Sequence, residues 1–400
     1  MAPLAGAGDE PDGIRTERDR VGQQPSPPLL NGPSCFHAGP RADAAAAREP
    51  DSAEPVGPVS VGGAPVVPPA DTGDRPDRVK PRWKGPLVAG VDVGGTKTLA
   101  LVVDTRDEQV AQVRLATDAR GSRGLVATVT EALIEVTEGA GVTPDGLAAV
   151  GIGVPGLVDP RDEGLRHAVN LDIGDEPVSL ADPVRRLIGG PVTVGNDVNL
   201  AALGAAELLG RNGNVAYLSI GTGVAAGFVV DGKVFAGARG VAGEIGHLPI
   251  DLAGAICECG QTGCLETVAS GAAIARRWTK PDGSPGDARA LLAAASAGDP
   301  SAIAVRDEVS SYLAWAVALI VQTVDPELVV LGGGVAEAGA PLLDAVRHAL
   351  TRRAAASPFV ASLGLPERVT IAPAGVSLGA LGAARAARNL LATARDGDRV

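Results

Sequence analysis

The feature that most constrains the fold is a unit that occurs twice: an apolar strand, a glycine-rich turn and a second apolar strand. Leu87 to Val93 and Thr98 to Asp104 flank Gly94-Gly95-Thr96-Lys97, and Val215 to Ile220 and Ala226 to Val230 flank Gly221-Thr222-Gly223. Short aliphatic and β-branched runs on either side of a glycine turn read as β-hairpins. After the first unit, Leu125, Val129, Leu133 and Val136 keep near-helical spacing and predict a helix over Gly124 to Glu138. Ala148 to Val154 and Val192 to Val194 read as short strands, and Leu200, Leu203, Leu208 and Leu209 place a helix after Asp197 that ends near Gly210 and Gly213. Beyond the second unit, Val305 to Val324 is helical, Leu328 to Leu331 is a strand running into Gly332-Gly333-Gly334, and Gly379 to Leu391 is a closing alanine-rich helix. The expectation is an α/β fold of two related halves, the product of an internal structural duplication.

With 400 residues the chain suits two domains and a tail. From Met1 to about Lys84, Pro, Gly, Ala, Asp and Arg dominate without a sustained period, so this stretch buries too little apolar surface to offset its ordering entropy and reads as disordered. Met1 is the only methionine, and Val79 is an alternative start if the coding start lies too far upstream. Lys and Arg number 35 against 47 Asp and Glu, a formal net charge of −12, which argues against nucleic acid and anionic membrane surfaces as partners. The longest apolar candidate, Leu313 to Val324, falls short of the roughly 20 residues that a bilayer span needs and reads as a buried core helix. Met1 to Pro28 carries acids and prolines instead of a basic start and an apolar stretch, so a cytoplasmic location is expected.

Three segments offer chemistry. Gly90-Val-Asp92-Val-Gly94-Gly95-Thr96-Lys97-Thr98 imitates a P-loop but misses its spacing by one residue, and a strand, not a helix, follows it. A hairpin that cradles phosphate fits better: glycine lets backbone N–H groups approach an anion, Asp92 can hold Mg²⁺ through water, and Thr96 or Lys97 can reach phosphate oxygens. Gly221-Thr222-Gly223 supplies a second such clamp and Gly333-Gly334 bare backbone for a nucleotide base, although each glycine cluster alone is also an ordinary turn. Asn196-Asp197 stands at a helix start, where Asp197 reads as an N-cap and, compatibly with that, as the positioned acid that accepts a hydroxyl proton. Finally, His247, Cys257, Cys259 and Cys264 make a closed tetrahedral Zn²⁺ set of structural type, the alternative being buried free thiols. Glu244 and Glu266 flank this set and are either rigid acceptors for a polyol or solvated surface acids.

Taken together, Asp92-Val-Gly-Gly-Thr-Lys97, Gly153-Val-Pro-Gly156, Asn196-Asp197, Gly221-Thr-Gly223, Glu244-Ile-Gly-His247 and Cys257-x-Cys-Gly-x-x-Gly-Cys-x-Glu266 resemble the repressor, open reading frame, kinase (ROK) family over roughly Pro86 to Leu391. The resemblance implies an actin-like fold of two RNase-H-like lobes with sugar and ATP in the cleft. Residues 1–85 would be the tail, 86–199 the N-terminal lobe completed by a closing helix at 379–395, and 200–378 the C-terminal lobe with the zinc loop. It implies Asp197 as general base toward a sugar hydroxyl, commonly that on C6. It also implies ATP held by Gly94, Gly95, Thr96, Gly221, Thr222 and Gly223 with Mg²⁺, and Asn196, Glu244, His247 and Glu266 as sugar ligands. Glucose is the favoured sugar, with N-acetylhexosamines, mannose or fructose as alternatives, and the family commonly forms homodimers. Two departures stand out: Gly195 where many relatives have an acid, and Ala225 where a glycine is usual. A sugar-sensing regulator is the rival reading, for which the tail lacks a recognition helix. Polyphosphate is the rival donor.

Overall fold

The structure, a computed structural model, describes residues 85–211 and 213–397. The expected tail, apart from Gly85, and Cys35 within it, lie outside the described residues. The first hairpin is β1 (Leu87–Val93) and β2 (Lys97–Val103), extended by β3 (Gln109–Ala116). Helix α1 (Gly121–Ala140) exceeds the expected helix at both ends and stops where Gly141 turns left-handed (φ 73°). The chain continues through β4 (Leu147–Val154), the ribbon β5 (Leu157–Val158) and β6 (Leu165–Arg166), α2 (Ala181–Ile188) and β7 (Val192–Asn196). The second unit follows α3 (Asp197–Leu208) and comprises β8 (Val215–Ile220), β9 (Val224–Val230) and β10 (Lys233–Val234). Next come α4 (Glu266–Ala269), α5 (Gly271–Arg277), α6 (Ala288–Ser296) and α7 (Pro300–Val324). The chain ends its described part with β11 (Leu328–Gly332), α8 (Ala340–Ala355), α9 (Pro358–Ser362), β12 (Val369–Ile371) and α10 (Leu378–Gly397).

Two five-stranded sheets result, in the orders β3-β2-β1-β4-β7 and β10-β9-β8-β11-β12. In each the first three strands pair antiparallel and the last three parallel. The sheets therefore repeat one topology strand for strand: the two related halves expected from the duplicated hairpins, and the actin-like pair of RNase-H-like lobes that the family resemblance implies.

Strand alternation decides which residues face the interior between the sheets. In β1, Leu87, Ala89, Val91 and Val93 join the core under α1 and α2, while Val88 faces the opposite way and packs with Ala380, Ala384 and Ala387 of α10. In β8, Ala216, Leu218 and Ile220 join the core under α7 and α8, and Val215 and Tyr217 turn toward Ala202 and Leu203 of α3. The order of layers is thus sheet, α10, α3, sheet. Glycine makes the helix crossing possible: a Cβ on Gly382 of α10 would lie 1.7 Å from the Leu200 carbonyl oxygen, and one on Gly204 of α3 would lie 2.1 Å from that of Leu378. Among the described residues no helix is long and apolar enough to cross a membrane.

Candidate active site

Alternation along β1 sets Asp92 on the same inner face as Val88 and Gly90, against the start of α10. There Gly379 leaves room for it, since a Cβ at that position would stand 2.5 Å from the carboxylate, and the Ser377 hydroxyl bonds Oδ2 at 3.3 Å. Asp197 opens α3 just beyond the end of β7. Its neighbour Asn196 is the N-cap: the Asn196 Oδ1 accepts the N–H groups of Val198 and Asn199, both at 3.0 Å. This corrects the N-cap reading of Asp197. Because Asn196 has the extended backbone of a cap (φ −63°, ψ 139°) and fills that role, the Asp197 carboxylate is left to accept the Val198 N–H at 2.9 Å. Burial pushes the Asp197 carboxyl up to about 7, helped by the charges of Asp92 and Glu244. Burial also raises Asp92, to about 6, against the pull of the Ser377 hydrogen bond.

Asp92 and Asp197 lie on the wall of a cleft of about 550 Å³, shared with Tyr217, Ser219, the turn Gly332 to Gly334 and the connection 371–379 that leads from β12 into α10. Gly333 has φ +80° and sits against the Ile220 carbonyl, where a side chain would collide. The two hairpin turns lie outside this lining. Within them, the Gly94 N–H bonds the Lys97 carbonyl (2.8 Å) and the Gly221 N–H bonds that of Gly223 (2.9 Å). These two N–H groups hold the turns closed, which narrows the backbone donors open to an anion to Gly95, Thr96, Thr222 and Gly223. Lys97 opens β2 with an exposed side chain. Gly95 packs against Asn170, and Gly223 against Glu266, whose Oε2 would lie 2.6 Å from a Cβ there. Ala225 stands inside β9, paired with Ser219, away from the turn itself.

Glu244 is half-buried, and burial raises its carboxyl. Glu266 starts α4, and its Oε1 accepts the Cys257 thiol at 3.0 Å. Both depart from the solvated-acid alternative. The Asn196 Nδ2 donates to the Gly156 carbonyl at 3.1 Å, so one amide hydrogen is left to offer a ligand. Ligand atoms of His247, Cys257, Cys259 and Cys264 all lie within 4.8 Å of one another, with Cys257 Sγ 3.7 Å from His247 Nδ1 and Cys259 Sγ 3.6 Å from Cys264 Sγ. Metal–sulfur bonds of about 2.3 Å in a tetrahedron give an edge of about 3.8 Å, so these spacings fit one Zn²⁺. The bend that gathers them needs Gly263 (φ +75°), where a Cβ would stand 1.6 Å from the Asp251 carbonyl.

A sequence profile of the ROK family matches residues 88–389. The chain belongs to the ROK family. It is 36% identical to a glucokinase of Halalkalibacterium halodurans over 307 residues, covering 71% of this chain and 91% of that one. Among solved ROK structures, a hexokinase from Thermus thermophilus superimposes with a TM-score of 0.63 at 32% identity, covering 77% of this chain and 99% of that one. A ROK glucokinase from Streptomyces griseus, solved with glucose and AMPPNP, gives 0.62 at 31% identity, covering 76% and 99%. This is therefore a glucokinase-like ROK protein.

Sequence reasoning did not find Tyr217, Ser219, Ser377 or the connection 371–379. The first two carry a readable signal, because alternation along β8 puts them on the face opposite Leu218 and Ile220. Ser377 carries none, since its partner Asp92 is remote in the chain.

Proposed function

We propose that this ROK protein transfers the γ-phosphoryl group of ATP to a sugar hydroxyl, with glucose as the favoured acceptor. The observation that carries the proposal is Asp197, a carboxylate raised to about 7 in the cleft wall beside Asp92 and within the electrostatic reach of Glu244. A group with that pKa is half ionised near neutrality and basic enough to take a hydroxyl proton in the transition state. As the sugar oxygen attacks the γ-phosphorus, its proton passes to the Asp197 carboxylate and the bond to the leaving ADP breaks. The N–H groups of Gly95, Thr96, Thr222 and Gly223 would steady the phosphates, with Lys97 as a further cation, while Gly333 and Gly334 face the nucleoside. Asp92 would hold Mg²⁺ through water, and the ion supplies charge neutralisation at the phosphates. The remaining Asn196 amide hydrogen, Glu244, His247 and Glu266 would hold the sugar hydroxyls. Closure of the lobes, 86–199 with 379–395 against 200–378, would exclude water from the transfer.

The test is ADP release from the purified protein with ATP, Mg²⁺ and glucose, mannose, N-acetylglucosamine, N-acetylmannosamine or fructose, with polyphosphate as a parallel donor. Turnover with glucose supports the proposal. A sugar that binds without being phosphorylated by either donor points instead to a sensor.

Because Asp197 acts only when ionised, kcat/KM should rise as pH passes upward through the region of its raised pKa, about 7, and fall tenfold per pH unit well below it. A pH profile that is flat from 5 to 8 would contradict a base of this pKa.

Zn²⁺ would be held by His247, Cys257, Cys259 and Cys264 as a purely structural ion. Because Glu266 lies against both Cys257 and Gly223, stripping the metal should raise the KM for sugar by roughly 10- to 100-fold and lower the melting temperature. Metal analysis of the purified protein should return one zinc per chain. Full sugar affinity after removal of the zinc would separate the loop from the sugar site.

A further inference from the structure

We infer that the hydroxyl of Tyr217 donates a hydrogen bond to the phosphates of the bound nucleotide, an inference that rests on the kinase reading above. Tyr217 lies in the middle of β8 on its inner face and is 8% exposed, and it lines the cleft with Asp92, Asp197 and the turn Gly332 to Gly334. Its ring end lies over Gly332, where a Cβ would stand 2.0 Å from the hydroxyl oxygen. That oxygen accepts the Gly333 N–H at 3.1 Å.

A phenol has one proton to give besides the lone pairs that accept. The Gly333 bond uses one lone pair, and no described residue stands as an acceptor for the proton. Buried donors of this kind are normally paired, and this one borders a cleft, so it is placed to donate to a ligand that fills the cleft. The hydroxyl also keeps its proton: burial, with the Gly333 bond opposing and the Asp92 and Asp197 charges adding, pushes it up to about 12. Accepting the Gly333 N–H polarises the O–H and makes it the stronger donor.

Tyr217 lines the same cleft as Asp92 and Asp197, the carboxylates of the proposed transfer. In that cleft the ligand atom that would take the proton of a neutral phenol is a phosphate oxygen, since among the described residues no Lys, Arg or His lines it. Tyr217 thus has two jobs: it fixes the Gly333 turn by accepting, and it binds phosphate by donating.

The test is Tyr217→Phe in the full chain, with the binding of ATP, ADP and adenosine measured by calorimetry and competition. ATP and ADP should weaken by roughly tenfold to a hundredfold, and adenosine by less than about threefold. Glucose affinity should be unchanged. If adenosine weakens as much as ADP, Tyr217 serves only to hold the turn; if nothing weakens, its hydroxyl is idle, and either outcome overturns the inference. A wild-type protein that binds no nucleotide would instead remove the kinase reading itself.

A second measurement needs no variant. The chain has two tyrosines, so ¹³Cζ-tyrosine labelling yields one resonance for Tyr217 and one for Tyr312, which lies outside the cleft lining. ADP should move the Tyr217 resonance further than adenosine does, with Tyr312 as the internal reference. Equal movement with both ligands, or with neither, rejects the phosphate bond.

Discussion

Asp197→Asn should lower kcat by roughly a thousandfold, within the 10²- to 10⁴-fold range for loss of a positioned general base, and yet make the protein more stable at pH 8. The two effects have one cause. The folded state holds the carboxylate at about 7, above its ordinary value of 3.8, so folding an ionised Asp197 is unfavourable. The sign follows from linkage: this cost is fully present above about pH 7, shrinks as pH falls, and is gone below the unfolded value. Asparagine keeps an Oδ1 for the Val198 N–H and carries no charge, so it removes the cost, for a gain on the order of 1 kcal/mol or more. Activity and thermal melts recorded at pH 8 and pH 5 check both halves. A variant that retains more than a tenth of wild-type kcat would rule out Asp197 as the base, whatever its melting temperature.

Gly382→Val should abolish stable folding. A Cβ at this position would stand 1.7 Å from the Leu200 carbonyl oxygen, a backbone atom that cannot turn aside, so α3 and α10 would have to part. These helices form the two central layers, and their separation opens the cores on both sides. The expected loss exceeds about 4 kcal/mol, a large share of the 5–15 kcal/mol available to a domain. Gly174→Ala is the matched control: a Cβ there meets nothing within 4 Å, and its stability should stay within about 0.5 kcal/mol of wild type. Denaturant unfolding of both variants decides the matter. Gly382→Val unfolding at the wild-type midpoint would mean that the crossing has slack which the packing denies.

What could be read from the chain was whatever is local. The two hairpins, the helix before β4 and the His247, Cys257, Cys259 and Cys264 quartet each lie within a short stretch, so spacing alone outlines them. That Asn196 and not Asp197 is the cap was not legible in the same way: both side chains can cap, and only the backbone torsions at the end of β7 assign the task to Asn196. The role of Tyr217 depends on β11 lying beside β8, which places Gly332 opposite Ser219. That of Ser377 depends on α10 returning to β1. Gly204 and Gly382 read as isolated glycines in helical sequence, a cost until the crossing that needs them is known.

The return of α10 also bears on how the molecule comes to be folded. Val88, Leu99, Leu101 and Ala149 are covered by Ala380, Ala384 and Ala387, so one face of the first sheet stays wet until residues from the far side of the second sheet's sequence arrive. The first sheet cannot complete its packing while the chain is being made until α10 has emerged. Contacts of such long sequence separation slow folding and prolong the exposure of apolar strands. The apolar face of the first sheet is therefore the surface open to misassociation until α10 docks on it.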